Sequence, residues 1–371
     1  MTIVQQIAQL GQSIWYDNIS RAMITGGELR RRIEEGLLGV TSNPTIFDKA
    51  ISGSTDYDDQ IRQLVEAKPD IDAAEIIQAL MVKDIQMACD VLSDVYERTE
   101  RRDGYVSVEV TPSKARDTQA TIEEVRLLWK LINRPNLMIK IPATKEGLPA
   151  IEQAISEGMN INVTLIFSVE RYREVAGAYI RGLEQRARQG KPLDHVASVA
   201  SVFVSRIDTL VDDLLVKKND PSLKWLLGKT AVANTKFVYQ AFKEIFNSTQ
   251  FAALRAKGAR VQRPLWGSTG TKNPAYSDLL YVNTLIGPDT VNTVPPQTYA
   301  AILDHGKAEL TIERDVDEAR KVLDAVSAAG IDMKWVLQKL EDDGVAAFEK
   351  SFDGLYKNLT DKRNAFAGVE V

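Results

Sequence analysis

The chain has 371 residues, 44% hydrophobic and 26% charged, and its 46 basic against 51 acidic residues leave a formal net charge of −5. That balance supports a large core and gives no basic excess that would favour nucleic acid or an anionic membrane as partner. A single cysteine, Cys89, excludes an intrachain disulfide and a cysteine-rich metal site, and the two histidines, His195 and His305, lack the i+4 spacing of a zincin motif.

In chain order, a first strand is predicted over residues 13–17, a short helix over 27–35 and a second strand over 38–42. Helical periodicity covers 56–67 and 73–101, followed by a strand at 105–110 and a helix at 115–132. Strand 137–141, helix 145–157, strand 161–167 and helix 169–189 continue the alternation. Strand 197–204 precedes helical stretches at 206–216 and 230–246, and the last strands are 261–266 and 290–293. The tail from Pro296 onward is helical by pattern, with breaks near Gly306 and Gly330. Eight strands separated by helices imply parallel pairing, because each parallel crossover needs a dozen or more residues. The expected fold is therefore a (β/α)8 TIM barrel, one domain over residues 1–371, with 296–371 as additional C-terminal helices packed on it. A doubly wound sheet is the alternative, but no G-x-G-x-x-G or Walker A pattern follows the first strand. With no basic leader and no apolar run near 18 residues, the expected location is the cytoplasm.

In a parallel barrel, chemistry sits at the C-terminal strand ends. The polar residues falling there are Asp17, Asn43, Glu109, Lys140, Asn162, Thr164, Ser201, Arg206 and Ser268. Lys140 interrupts an apolar run, NLMIKIP, and by period two shares a face with Met138, opposite Ile139 and Ile141. An amine buried in a barrel interior is disfavoured as a cation, and a neutral amine attacks a ketone or aldehyde to give a Schiff base. The alternative is a lysine whose stem follows the strand and whose head reaches water. Glu109, within YVSVEV, reads either as a general acid/base beside that amine or as its structural ion-pair partner. Asn162 and Thr164 share one strand face and suit either sugar hydroxyls or core hydrogen bonds. Arg206, with Ser268, Thr269, Thr271 and Lys272 of the 267–274 loop, offers donors for a phosphate or an ordinary surface ion pair.

Four segments in order resemble the transaldolase family: GVTSNPTIF at 39–47, MIKIPAT at 138–144, NINVTLIFS at 160–168 and SVFVSRID at 201–208. The resemblance spans Asp17 to about Lys272, and the long helical region before Tyr105 resembles the long bacterial, second transaldolase subfamily. It implies that Lys140 forms a Schiff base with the ketose donor and that Glu109, with Thr164, handles proton transfer through a water. It implies that Asp17 takes the C4 hydroxyl proton, that Asn43, Asn162 and Ser201 hold the three-carbon unit, and that Arg206 binds the phosphate. The reaction implied is transfer of dihydroxyacetone from sedoheptulose 7-phosphate to glyceraldehyde 3-phosphate, in the pentose phosphate pathway. No cofactor and no metal are implied, the partners are phosphorylated sugars, and the chain is left as monomer or homo-oligomer. Ser268 and Lys272 stand where many relatives carry a serine and an arginine. Val202 and Ser205 stand where many carry proline and glycine. An aldolase releasing free dihydroxyacetone and a barrel that only binds sugar phosphates are the competing readings.

Overall fold

The computed structural model describes residues 1–367. Eight parallel strands close a barrel in sequence order: β1 (Gln12–Asp17), β2 (Val40–Thr41), β3 (Val106–Glu109), β4 (Leu137–Pro142), β5 (Ile161–Ile166), β6 (Ser198–Phe203), β7 (Arg263–Gly267) and β8 (Thr290–Val294). β8 returns to pair with β1, so the sheet has no free edge and the open doubly wound alternative does not form. Both faces of these strands are buried, which is why they read as apolar runs. Ile139 and Ile141 face the large core shared with the helices, while Met138 joins Trp15, Tyr105, Val199, Leu265 and Val291 inside the barrel. The inner face continues toward the C-terminal mouth as a layer of polar groups, with Glu109 paired in register with Lys140 and Lys140 with Asn162.

The N-terminal end of the barrel is plugged by a buried ion pair that pattern reading missed. Arg263 Nη2 lies 2.9 Å from Asp103 Oδ1, and Asp103 also accepts from Ser13 Oγ at 2.8 Å and Trp15 Nε1 at 2.9 Å. Such a network is tolerated in a core because none of its fully buried polar atoms is left unpaired.

Several short elements depart from the expectation. Helices Ile3–Gln9, Pro44–Ser52 and Thr249–Arg255 were not predicted, because two turns or so give too little periodicity to recognise. Their signal lies in the caps: Thr2 with Gln5 closes a capping box, Asn43 accepts from Ile46 N ahead of Pro44, and Ser248 accepts from Phe251 N. The predicted 73–101 helix is two elements, Ala73–Val91 and Ser93–Arg98. β2 is only two residues long. On β5 the register against β6 shifts between Val163 and Ile166, and Leu165 takes φ +60°. A non-glycine residue there costs roughly 1–2 kcal/mol. Its side chain packs against Gly344, where an added Cβ would come within 2.9 Å of Leu165 Cδ2.

Of the C-terminal helices, Pro296–His305 is the barrel's own helix after β8, and Val316–Ala328 packs on Thr230–Phe246. The long helix Met333–Phe366 lies against Pro44–Ser52, Ala73–Val91, Ser205–Lys217 and β5. Residues 368–371 of the predicted helical tail lie outside the described residues.

Candidate active site

Eight of the twelve residues singled out from sequence line one cavity of about 150 Å³ at the C-terminal mouth: Asp17, Asn43, Lys140, Thr164, Ser201, Arg206, Ser268 and Lys272; Thr269 and Thr271 do not border it. Glu109 and Asn162 sit one layer behind that wall. The alternation along β4 delivers Lys140 to the interior, where it is 5% exposed. Its Nζ lies 3.2 Å from Glu109 Oε2 and donates to the Ser42 carbonyl at 3.0 Å. The reading of this lysine as a head snorkelling into water is therefore excluded. Glu109 Oε1 and Thr164 Oγ1 are buried with no hydrogen-bond partner among the described residues. Burial pushes the Glu109 carboxyl above its ordinary pKa, against the pull of the Lys140 amine.

Asp17 ends β1, with Oδ1 accepting from Thr41 Oγ1 at 2.7 Å, and Thr41 also contacts Thr293 Oγ1 at 2.6 Å. Burial likewise raises the Asp17 pKa, opposed by Lys140, by the Thr41 hydrogen bond and by Lys272. Two carboxyls displaced upward beside an amine are suited to taking and returning protons. Asn162 is sealed beneath the cavity, donating to Ser107 Oγ at 3.0 Å and accepting from Ser201 Oγ at 2.6 Å. Asn43 has one oxygen engaged as the cap of Pro44–Ser52 while lining the cavity.

Arg206 has no ion-pair or side-chain hydrogen-bond partner among the described residues, and its guanidinium carbon sits 5.3 Å over the Phe203 ring. Burial lowers its pKa, countered by Asp343 of the long C-terminal helix. Ser268 follows β7 in a left-handed conformation, φ +53°, with its Oγ 2.9 Å from Ser205 Oγ. Lys272 is exposed on the rim.

Three contributors escaped the sequence reading. Thr41 and Thr293 hold Asp17, and Phe348 of the helix Met333–Phe366 covers the amine with its ring centroid 6.0 Å from Lys140 Nζ. The repeat Gly344, Phe348, Phe352, Leu355 marks one helical face, but periodicity does not say what that face covers. A second cavity, about 230 Å³, adjoins the first behind Ser42, Asn43 and Glu109, and is walled by Phe47, Met81 and Phe352. His195 contacts Arg186, and His305 contacts Asp278 and Asp304; neither borders the first cavity.

The molecule is thus a closed parallel barrel with an amine and two carboxyls gathered at its C-terminal mouth. Residues 14–359 match the family described as Transaldolase/Fructose-6-phosphate aldolase, and the chain belongs to that family. It is 47% identical to a transaldolase of Trichodesmium erythraeum over 368 residues, covering 96% of each chain. It is 49% identical to a transaldolase of Thermobifida fusca over 354 residues, covering 95% of this chain and 96% of that one. A protein named Transaldolase 2 from Nostoc punctiforme is 47% identical over 379 residues, with 98% of each chain covered. These relatives make the chain an enzyme, a transferase of the transaldolase kind.

Proposed function

We propose that the chain transfers a dihydroxyacetone unit between phosphorylated sugars through a Schiff base on Lys140, without a metal ion. The observation that carries this reading is the buried Lys140 amine 3.2 Å from a Glu109 carboxyl neither of whose oxygens has a hydrogen-bond partner among the described residues. An amine needs a proton acceptor before it can attack, and the adjacent carboxylate is that acceptor.

The Lys140 nitrogen adds to the C2 carbonyl of the donor ketose. The carbinolamine oxygen leaves as water, protonated by way of Glu109 and a water held between Glu109 and Thr164. Asp17 then removes the C4 hydroxyl proton, and the electrons of the C3–C4 bond pass into the protonated imine. Sedoheptulose 7-phosphate releases erythrose 4-phosphate at this point, leaving a three-carbon enamine on Lys140. The enamine carbon attacks the aldehyde of glyceraldehyde 3-phosphate, and Asp17 returns its proton to the new alkoxide. Hydrolysis of the imine frees fructose 6-phosphate and the amine. Asn43 and Ser201 hold the three-carbon hydroxyls, and Asn162 orients Ser201 from behind the wall. Arg206 receives the phosphate, with Ser268 and Lys272 on the same wall. The absence of a competing partner on Arg206 among the described residues supports that role.

Transfer is favoured over release of free dihydroxyacetone by the cover that Phe348 places over the amine. No helix among the described residues is long and apolar enough to cross a membrane, in keeping with small water-borne substrates. The test is to incubate the protein with fructose 6-phosphate and erythrose 4-phosphate and to follow sedoheptulose 7-phosphate. Its stoichiometric appearance with glyceraldehyde 3-phosphate is expected. Free dihydroxyacetone as the main three-carbon product would replace transfer by simple aldol cleavage.

A further inference from the structure

The N-terminal end of the barrel carries a third cavity, about 330 Å³, on the far side of the Arg263–Asp103 plug from the polar mouth. Its floor includes Met138 and Val199 of the apolar barrel interior, and its walls carry Arg101, Arg102, Arg260 and Arg263. Glu100 is the one carboxylate on those walls among the described residues. A chain of net charge −5 therefore concentrates four guanidinium groups around one concave surface.

Two of the four are already engaged: Arg263 with Asp103 and Arg102 with Asp289, each at 2.9 Å. Arg101 and Arg260 make no ion pair and no side-chain hydrogen bond among the described residues. The backbone that presents Arg101 is held against its own preference, since Glu100 and Arg101 are consecutive left-handed residues at φ +52° and +64°. Each costs roughly 1–2 kcal/mol outside glycine. Three contacts offset that cost: Arg101 N donates to the Tyr96 carbonyl at 2.8 Å, Tyr105 OH to the Arg101 carbonyl at 2.7 Å, and Arg263 Nη2 to the Arg102 carbonyl at 2.6 Å. The strained turn is thus built into the barrel plug, and it fixes two arginine stems at the rim of a cavity of ligand size.

We infer that this cavity is a binding site for a small polyanion of the phosphorylated or polycarboxylated metabolite class, its anionic groups held by Arg101 and Arg260 and its carbon body resting on Met138 and Val199. The site is separate from the phosphate position at Arg206 and shares no lining residue with the cavity at the mouth; Lys140 follows its floor residue Met138 by two positions on the same face of β4.

The test uses the full chain and calorimetric titration with inorganic pyrophosphate and, in parallel, citrate, at constant ionic strength. Working in an Arg206→Ala background removes competition from the mouth. One pyrophosphate or citrate per chain is expected to bind in that background. Adding Arg101→Ala with Arg260→Ala should weaken binding about tenfold or more, as loss of charged hydrogen bonds does. In the otherwise wild-type chain, the Arg101→Ala/Arg260→Ala pair should leave sugar-phosphate transfer unchanged. Should the double substitution impair folding, Arg101→Gln alone must show the same weakening. Absence of binding by both probes in Arg206→Ala, or affinity unaffected by the rim substitutions, or an equal response to sodium chloride, overturns the assignment.

Discussion

Phe348→Ala removes the aromatic cover over the amine while leaving every hydrogen-bonding group of the mouth in place. Phe348 is 5% exposed, and its centroid is 6.0 Å from Lys140 Nζ. Truncating a buried phenylalanine costs about 3–5 kcal/mol. One side of this ring already borders the cavity of about 150 Å³, so water fills the space left and the lower end, about 3 kcal/mol, applies. That loss lies below the 5–15 kcal/mol by which domains are usually stable, so the variant folds, with a midpoint several degrees lower. The ring also stabilises a cation beneath it by about 0.5–2 kcal/mol, and its removal opens the imine to water. Converted to rates, that is a shift of about 2- to 30-fold in the partition between transfer and hydrolysis. The assay quantifies sedoheptulose 7-phosphate and free dihydroxyacetone in one reaction of fructose 6-phosphate with erythrose 4-phosphate. The free three-carbon fraction should rise by that factor. A variant that slows but keeps the wild-type product ratio would refute the covering role.

Three further predictions follow from other groups. Arg206→Ala should raise KM for phosphorylated donors and leave unphosphorylated ketoses nearly unaffected; equal weakening of both would remove the phosphate role. Glu109→Gln keeps the shape but not the proton acceptor, so turnover should fall about 10²–10⁴-fold while slow imine formation persists. Undiminished turnover would leave Glu109 a structural partner only. Asp208, buried and accepting from Ala231 N at 2.7 Å and Tyr281 OH at 2.9 Å, is raised by burial from 3.8 to about 7. The folded chain therefore holds this proton more tightly than the unfolded one between those values. The group's contribution to stability then falls as pH rises through that window, by up to about 1.4 kcal/mol per unit, and is level above it. In Asp208→Asn this slope should vanish from denaturant-derived stabilities between about pH 4 and 7; parallel curves for the two proteins would contradict it.

The legible parts of the molecule were those where one residue breaks a strong pattern. Lys140 and Glu109 stand out because each is the charged member of an otherwise apolar strand; period two puts Lys140 on one face with Met138, and that face is the inner one. The barrel followed from eight alternations, each too long for a hairpin. The rest depended on distance in the chain or on backbone states without a residue marker. Arg263 and Asp103 meet across 160 positions. Leu165 adopts a left-handed bulge where no glycine signals one. Asn43 is expected as a substrate ligand; the task the structure shows for it is capping Pro44–Ser52, which the Asn-Pro helix start already signals in the sequence. Phe348 lay on a helix whose apolar face was visible but whose partner, the barrel mouth, only the tertiary structure supplies.

The most direct measurement is borohydride reduction of the protein with fructose 6-phosphate, followed by mass-spectrometric location of the adduct. A reduced three-carbon ketone on the peptide bearing Lys140, and none in a Lys140→Met variant that retains its fold and loses turnover by a factor on the order of 10⁶, is the predicted result. An adduct on another lysine, or one that survives Lys140→Met, would contradict the account at its centre.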